Sequence, residues 1–372
     1  MYFVTAGESH GDSITGILEG LPSNFEIDID SIINTLKLRK SGYGRSKRMK
    51  IEDDIPIFTS GLINGKTYGG SIAFYIKNKA PEKCGKNLKI PRPGHSDLAG
   101  SLKYGLEDLS FPAECRGGRK TAVFIVLGEI ARQFLSKFGI NVLGYTFSIG
   151  KIYSFENEEI DLERKRIYAE NSPLRLISKS KEQEIKELID KTEQDGDTLG
   201  GKIKIIVENV PIGLGDFSQW NKGLDSRLAC ALISVPGIKA ISFGKGFEAS
   251  EILGSEFQDR IYKNAKRKTN NAGGIEGGIS NGENIEITVS MKPIPTVKQG
   301  LDSINLDEND ETRTEYIRSD ICAVPACAIA CESMTSLIIL EAFLERFGCN
   351  TFEGTVENFK TIQKRILKRI RE

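Results

Sequence analysis

Two stretches of this chain, residues 121–138 and 326–347, are apolar on nearly every face of a helix. The first carries Val123, Ile125, Val126, Leu127, Ile130 and Phe134. The second opens on small residues such as Ala326, Cys327 and Ala328 and continues through Leu337, Ile338, Ile339, Leu340 and Phe343. A helix that is hydrophobic all round has no face to offer water, so it is buried on more than one side or lies in a membrane. No uninterrupted apolar run approaches the ~20 residues of a bilayer span, and Glu341 breaks the longest. Burial is therefore expected, and burying both helices takes a layer of sheet on each outer side. With one such helix per half, the sequence predicts an α+β fold. Its form is a layered β-α-β arrangement, sheet on either side of a middle of long buried helices, with a possible internal pseudo-duplication that leaves no visible repeat.

Other segments supply the sheets. Residues 1–6 and 13–20 read as a hairpin around Gly7-Glu8-Ser9-His10-Gly11, and residues 69–77, 202–210 and 283–292 read as strands. Asp28 or Asp30 caps a helix whose buried stripe includes Ile29, Ile32, Ile33 and Leu36. Residues 181–194 form a solvent-facing helix, and a shorter one lies around 225–234. No low-complexity linker divides the chain, so a single domain over 1–372 is expected, with an amphipathic tail helix at about 355–371.

Lys+Arg and Asp+Glu balance at 51 each, which argues against a dedicated nucleic-acid coat. Seven scattered cysteines, none in C-x-x-C spacing, read as reduced thiols, and the N-terminus lacks the apolar core of a signal peptide. The expectation is a cytoplasmic protein with no nucleic-acid or membrane partner.

Chemistry concentrates in a few loops. Only two histidines exist, His10 and His95, and both stand beside glycine. Histidine titrates nearest neutrality, so a pair in glycine-flanked loops points to proton transfer. A tetrahedral metal set is missing, and Ser9 beside His10 lacks the strained elbow of a hydrolase. Residues 37–50 hold seven basic residues and no acid; Arg39, Arg45 and Arg48 offer planar forks to phosphate or carboxylate. Arg92 precedes His95, and Arg116 and Arg119 stand just before the first apolar helix, whose N-terminus itself favours anions. The stretch 269–282 packs glycines 273, 274, 277 and 278 together, allowing main chain to approach a flat ring or an anion. Lys292-Pro293-Ile294-Pro295-Thr296 and Arg318-Ser319-Asp320 complete the candidates.

In this order the segments resemble chorismate synthase. The likeness rests on G-E-S-H-G at 7–11, L-x-x-R-K-x-G-x-G-R-x-x-R-M at 36–49 and R-P-G-H-x-D at 92–97. It continues in N-N-A-G-G-I-E-G-G-I-S-x-G at 270–282, K-P-I-P-T at 292–296 and R-x-D at 318–320. The resemblance implies elimination of phosphate from 5-enolpyruvylshikimate 3-phosphate to give chorismate, with reduced FMN as cofactor, NADPH for flavin reduction, and a homotetramer. It implies that His10 protonates the departing phosphate, that His95 protonates the flavin, and that Asp320 assists proton removal through the flavin N5. Arg39, Arg45, Arg48, Arg92, Arg119 and Arg318 would hold substrate or flavin anions. Cys115, Arg116, Gly117, Pro236, Gly237, Asn270, Asn271, Gly277, Lys292, Pro293, Ile294, Pro295, Thr296 and Arg318 would line the flavin. One departure falls at 115–122: the family pattern R-x-S-A-R-E-T-A reads Cys-Arg-Gly-Gly-Arg-Lys-Thr-Ala here. The family's R-H-D-P-C likewise becomes Arg318-Ser319-Asp320-Ile321-Cys322. Two rival readings are a non-catalytic relative that binds a phosphorylated metabolite or nucleotide, and a nucleic-acid module built on residues 37–50.

Overall fold

The computed structural model describes residues 1–46, 51–79, 87–115, 117–154, 160–316 and 319–371. Both long helices form, as Thr121–Ser136 and Val324–Phe347, and they pack against each other at the centre. Their small residues set the spacing. A Cβ added at Gly128 would lie 2.3 Å from the Ser333 Cβ, so only glycine permits this approach. The helices run in the same direction: Gly128 meets Ser333, and further along Phe138 meets Phe343 with ring centroids 4.5 Å apart.

A four-stranded antiparallel sheet covers the first helix, in the spatial order Tyr2–Ala6, Ser13–Glu19, Ile72–Lys77, Pro56–Ser60. Ile14 and Leu18 point inward and are fully buried, whereas Ile17 faces out, as a period of two demands. Gly16 lets the sheet press down, since a Cβ there would be 2.6 Å from Val123. A second antiparallel sheet covers the other helix, in the order Ile238–Phe243, Ile285–Met291, Gly201–Glu208, Asn141–Ile149, Ile152–Tyr153. Ile203, Ile205, Val207, Ile285, Ile287 and Val289 are its inward stripe.

The pseudo-duplication is written in the connectivity. Each half makes two neighbouring strands, a helix, a strand on the far side and a strand inserted beside it, then the long helix. The first half runs Tyr2–Ala6, Ser13–Glu19, helix Ile29–Lys40, Pro56–Ser60, Ile72–Lys77, then Thr121–Ser136. The second runs Asn141–Ile149, Gly201–Glu208, helix Leu224–Ile233, Ile238–Phe243, Ile285–Met291, then Val324–Phe347. Discounting the added edge strand Ile152–Tyr153, the strand order is the same in both sheets.

Four strands of the two large sheets escape the sequence reading, the two-residue edge strand Ile152–Tyr153 among them. Asn141–Ile149 is buried on both faces, its outer side under a small second core with Leu162, Ala169 and Ile177, so it shows no alternation. Pro56–Ser60 and Ile238–Phe243 are short and half-exposed. The tail helix starts slightly earlier than expected, at Phe352, and extends to Arg371. Val324–Phe347 is long and apolar enough by composition to cross a membrane, because its single buried acid hardly dilutes it, but it lies almost wholly buried between helix and sheet.

Candidate active site

His10 lies in the loop between the first two strands. Gly7 turns the chain there at φ +101°, and a Cβ on it would strike the Ser13 carbonyl. The imidazole Nδ1 is hydrogen-bonded to the Glu114 carboxylate, on the short helix Ser110–Cys115, and the Ser9 amide donates to the Glu114 carbonyl at 3.2 Å. The Asn78 amide, at the end of Ile72–Lys77, donates to the Gly11 carbonyl at 2.6 Å. The carbonyl oxygen of that same amide takes the Arg119 Nε at 2.9 Å. Gly117 leaves room for Ser9, whose buried hydroxyl has no hydrogen-bond partner among the described residues. A Cβ at 117 would fall 1.9 Å from that oxygen. Cys115 follows Glu114 and is exposed.

Behind this loop Arg119 and Arg39 share Asp54. Arg39 meets it at 3.0 Å, Arg119 pairs with its other oxygen, and all three are buried. Burial works to raise the Asp54 carboxyl pKa, but the two guanidinium groups outweigh it and hold it below the ordinary value. Both arginines are thus engaged with one buried carboxylate.

His95 mirrors His10. Its Nδ1 is hydrogen-bonded to Asp97, which also takes Arg92 through Nε at 2.7 Å and Nη2 at 3.1 Å. Burial pushes the Asp97 carboxyl up, yet hydrogen bonds from His95 and Arg92 prevail and hold it well below the usual carboxylate range. Arg92 reaches Thr296 at 3.4 Å, and Lys292 donates to the Gly94 carbonyl. Desolvation, helped by Lys239, lowers the Lys292 pKa. The Lys292 amide donates to Gly237 at 2.9 Å, which seats Pro236 and Gly237 at the same edge. Ile294 accepts from Thr198, and Pro293 and Pro295 stiffen the segment between.

Asp320 closes the ring. Its carboxylate pairs with Arg45 at 2.7 Å and accepts the Ser46 amide at 2.6 Å, while Ser319 donates to the Thr296 carbonyl at 3.0 Å. Ser96, next to His95, donates to the Pro112 carbonyl at 2.9 Å, so the helix bearing Glu114 ties the two histidine loops together. Both long helices begin at this edge, a few residues after Gly117 and Asp320 respectively, and bring the positive ends of their dipoles to it. Arg48, Arg116 and Arg318 lie outside the described residues.

The glycine stretch is elsewhere. It abuts the start of Ile285–Met291, whereas Lys292–Thr296 leaves the other end, about 25 Å away by strand rise. Its glycines approach the protein's own backbone. A Cβ at Gly273 would be 2.3 Å from the Gly244 amide, and one at Gly274 2.4 Å from the Asn284 carbonyl. Asn270 donates to Asn284, and Asn271 to Phe257, which further fasten the segment. Gly277 alone is open, at φ +57° in the turn of a tight hairpin with nothing within 4 Å of an added Cβ. Gly273→Ala is therefore expected to cost about 2–4 kcal/mol in urea unfolding, from the left-handed backbone and the clash together. Gly277→Asn, which tolerates that conformation, should leave stability within about 0.5 kcal/mol.

Glu114 and Asn78 are residues of this edge that the sequence did not reveal. Asp97 sits inside a recognisable motif; the other two lie outside every motif and become visible only through their partners.

A layered α+β scaffold that gathers two carboxylate-tethered histidines, Arg45, Arg92 and Lys292 at one edge defines an enzyme class: proton transfer on a small polyanion. Comparison with known proteins narrows it. The family model for chorismate synthase matches residues 1–344. The chorismate synthase of Alkaliphilus metalliredigens is 41% identical over 374 residues, spanning 96% of this chain and 98% of that relative. The chorismate synthase of Sulfurihydrogenibium sp. is 40% identical over 385 residues, spanning 98% and 99%. A solved structure described as a crystal structure of chorismate synthase superposes with a TM-score of 0.81 at 32% identity, covering 99% of this chain and 98% of that one. The chain belongs to the chorismate synthase family. It is a chorismate-forming lyase of the shikimate pathway, from a family that works with a reduced flavin, and the non-catalytic reading is not favoured.

Proposed function

We propose that the edge holding His10, His95 and Asp320 is the active site, and that it takes 5-enolpyruvylshikimate 3-phosphate together with reduced FMN. The observation that carries this is the matched pair of histidines, each held through Nδ1 by a carboxylate and joined through the Pro112 and Thr296 carbonyls to the basic rim. The residues fit a flavin. Gly118 has open space where a Cβ would stand, Gly94 faces only Lys292 and Pro295, and the buried Ser9 hydroxyl awaits a partner. Lys292–Thr296, Pro236, Gly237, Cys115 and Gly117 would hold the cofactor. When bound, reduced FMN supplies at N5 the acceptor for the distant C–H proton, with no net redox change.

His10 delivers a proton to the departing phosphate, and His95 holds one for the flavin. Asp320, fixed by Arg45 and the Ser46 amide, assists removal of the ring proton. Arg45, Arg92 and Arg48 meet the substrate's anions, while Arg39 and Arg119 act from behind by setting the loop floor through Asp54 and Asn78. NADPH is the source of electrons that keeps the flavin reduced.

The chain acts as one domain, in the cytoplasm, without nucleic acid or membrane, as a homotetramer. Asn270, Asn271 and Gly277 stand too far along the strand to touch a flavin at Lys292 of their own chain, so they serve the site of a neighbouring copy. Phe217 and Trp220 beside them are 82% and 85% exposed, as suits an interface. Anaerobic incubation with reduced FMN and 5-enolpyruvylshikimate 3-phosphate should release phosphate stoichiometrically with chorismate; bound flavin without release would overturn the catalytic reading. Trp220→Glu should shift the light-scattering mass below four subunits and weaken FMN binding together. A tetramer that survives with weakened binding, or dissociates with normal binding, would separate the glycine stretch from the flavin.

A further inference from the structure

We infer that Glu114 is the positioning residue for His10 and fixes which ring nitrogen faces the substrate. This rests on His10 as the proton donor, and the geometry adds what that reading leaves open. Glu114 grips the 7–11 loop twice. Its carbonyl accepts the Ser9 amide at 3.2 Å, and its carboxylate takes the His10 Nδ1. The same carbonyl accepts the Gly117 amide at 3.3 Å, which fixes the helix end that carries it. From the opposite side the Asn78 amide holds the Gly11 carbonyl, and the Asn78 N–H donates to the Asp12 carbonyl at 3.0 Å. With the backbone clamped on both sides, the imidazole torsion is the remaining freedom, and Glu114 removes it.

A carboxylate only accepts, so Nδ1 carries a proton in either charge state of the ring. Nε2 is then the working nitrogen, and no described residue hydrogen-bonds to it. The charged ring gives its Nε2 proton to the phosphate oxygen as the C–O bond breaks. It is left neutral with Nδ1–H in place and regains a proton at Nε2 from solvent, to which the side chain is 26% exposed. Without Glu114 the neutral ring is free to carry its proton on Nε2 and to rotate away.

The chain has only these two histidines, so the long-range ¹H–¹⁵N spectrum of the whole protein is assigned by comparing it with His10→Ala and His95→Ala. At neutral pH the wild-type His10 should show a protonated Nδ1. Glu114→Gln should change the His10 nitrogen pattern, leave His95 unchanged, and lower kcat by about 10- to 100-fold with KM within about threefold. In the His10→Ala background the same substitution should cost nothing further. A wild-type His10 that is neutral with its proton on Nε2 would overturn the assignment, and that result needs no variant to fold. So would an unchanged kcat in Glu114→Gln alongside an unchanged His10 spectrum. A wild-type rate in His10→Ala would instead overturn the proton-donor reading, while the nitrogen spectra still report the tether.

Discussion

Alanine at His10 or at His95 is expected to lower the rate of phosphate release by roughly 10²–10⁴-fold, the span for a positioned general acid or base. Both rings are anchored at Nδ1 by a carboxylate, which leaves the other nitrogen for proton transfer. Both are also partly exposed, so their loss removes little packing and thermal unfolding should barely move. The two substitutions differ in what they leave behind. His10→Ala frees Glu114, which can be hydrated, whereas His95→Ala leaves Asp97 still gripped by Arg92 through two nitrogens. The fall should therefore appear in kcat for both, with substrate affinity better preserved in His95→Ala. Single-turnover phosphate release under anaerobic conditions measures it, and near-normal rates in both variants would remove the histidines from the chemistry.

A second large effect is expected far from the loops, at Glu332 in the middle of Val324–Phe347. This carboxylate is buried and takes Arg166 at 3.1 Å, Arg175 on its other oxygen, and the Gly144 amide at 3.0 Å. Burial drives its pKa up, but Arg166, Arg175, Arg132 and the Gly144 N–H together pull it down to about 2 from the usual 4.5. A depressed carboxyl pKa contributes stability that is complete above the unfolded value and is lost as pH falls through the folded one. The shift corresponds to about 3 kcal/mol. Glu332→Gln strands a buried guanidinium and should cost about 3–5 kcal/mol at neutral pH. In urea unfolding, the gap from wild type should stay constant above pH 5 and narrow between about 4.5 and 2. A gap independent of pH would mean the ion cluster is not what holds this helix to the strand Asn141–Ile149.

That cluster illustrates what sequence reading can miss. Periodicity identified Val324–Phe347 from its apolar residues, and one glutamate among them hardly alters the pattern. Its partners Arg166 and Arg175 are more than 150 positions away and carry no motif of their own. Asn78 escaped because its partners Gly11 and Arg119, 67 and 41 positions away, lie in no window with it. Motif-bearing residues differ: His95, Arg92, Lys292, Thr296 and Arg45 stand in short glycine- or proline-marked segments, Asp320 stands in the R-x-D pair, and the fold brings them to one edge. The glycine stretch combines two uses of glycine that its density does not separate: Gly273 and Gly274 make room for the chain's own carbonyls and amides, and Gly277 is open.

The sequence by itself determined the helical middle, the sheets that must cover it, and the residue types able to move protons and hold anions. These follow from local rules: hydrophobic period, the backbone freedom of glycine, and the titration range of histidine. Tertiary structure alone decided which of those residues meet. It paired His10 with Glu114 across 104 positions and Asp320 with the Ser46 amide across 274. It also sent 269–282 to the far end of a strand. Such pairings are fixed by strand order and helix direction, the product of burying two helices between two sheets at once, and no window along the chain contains that information.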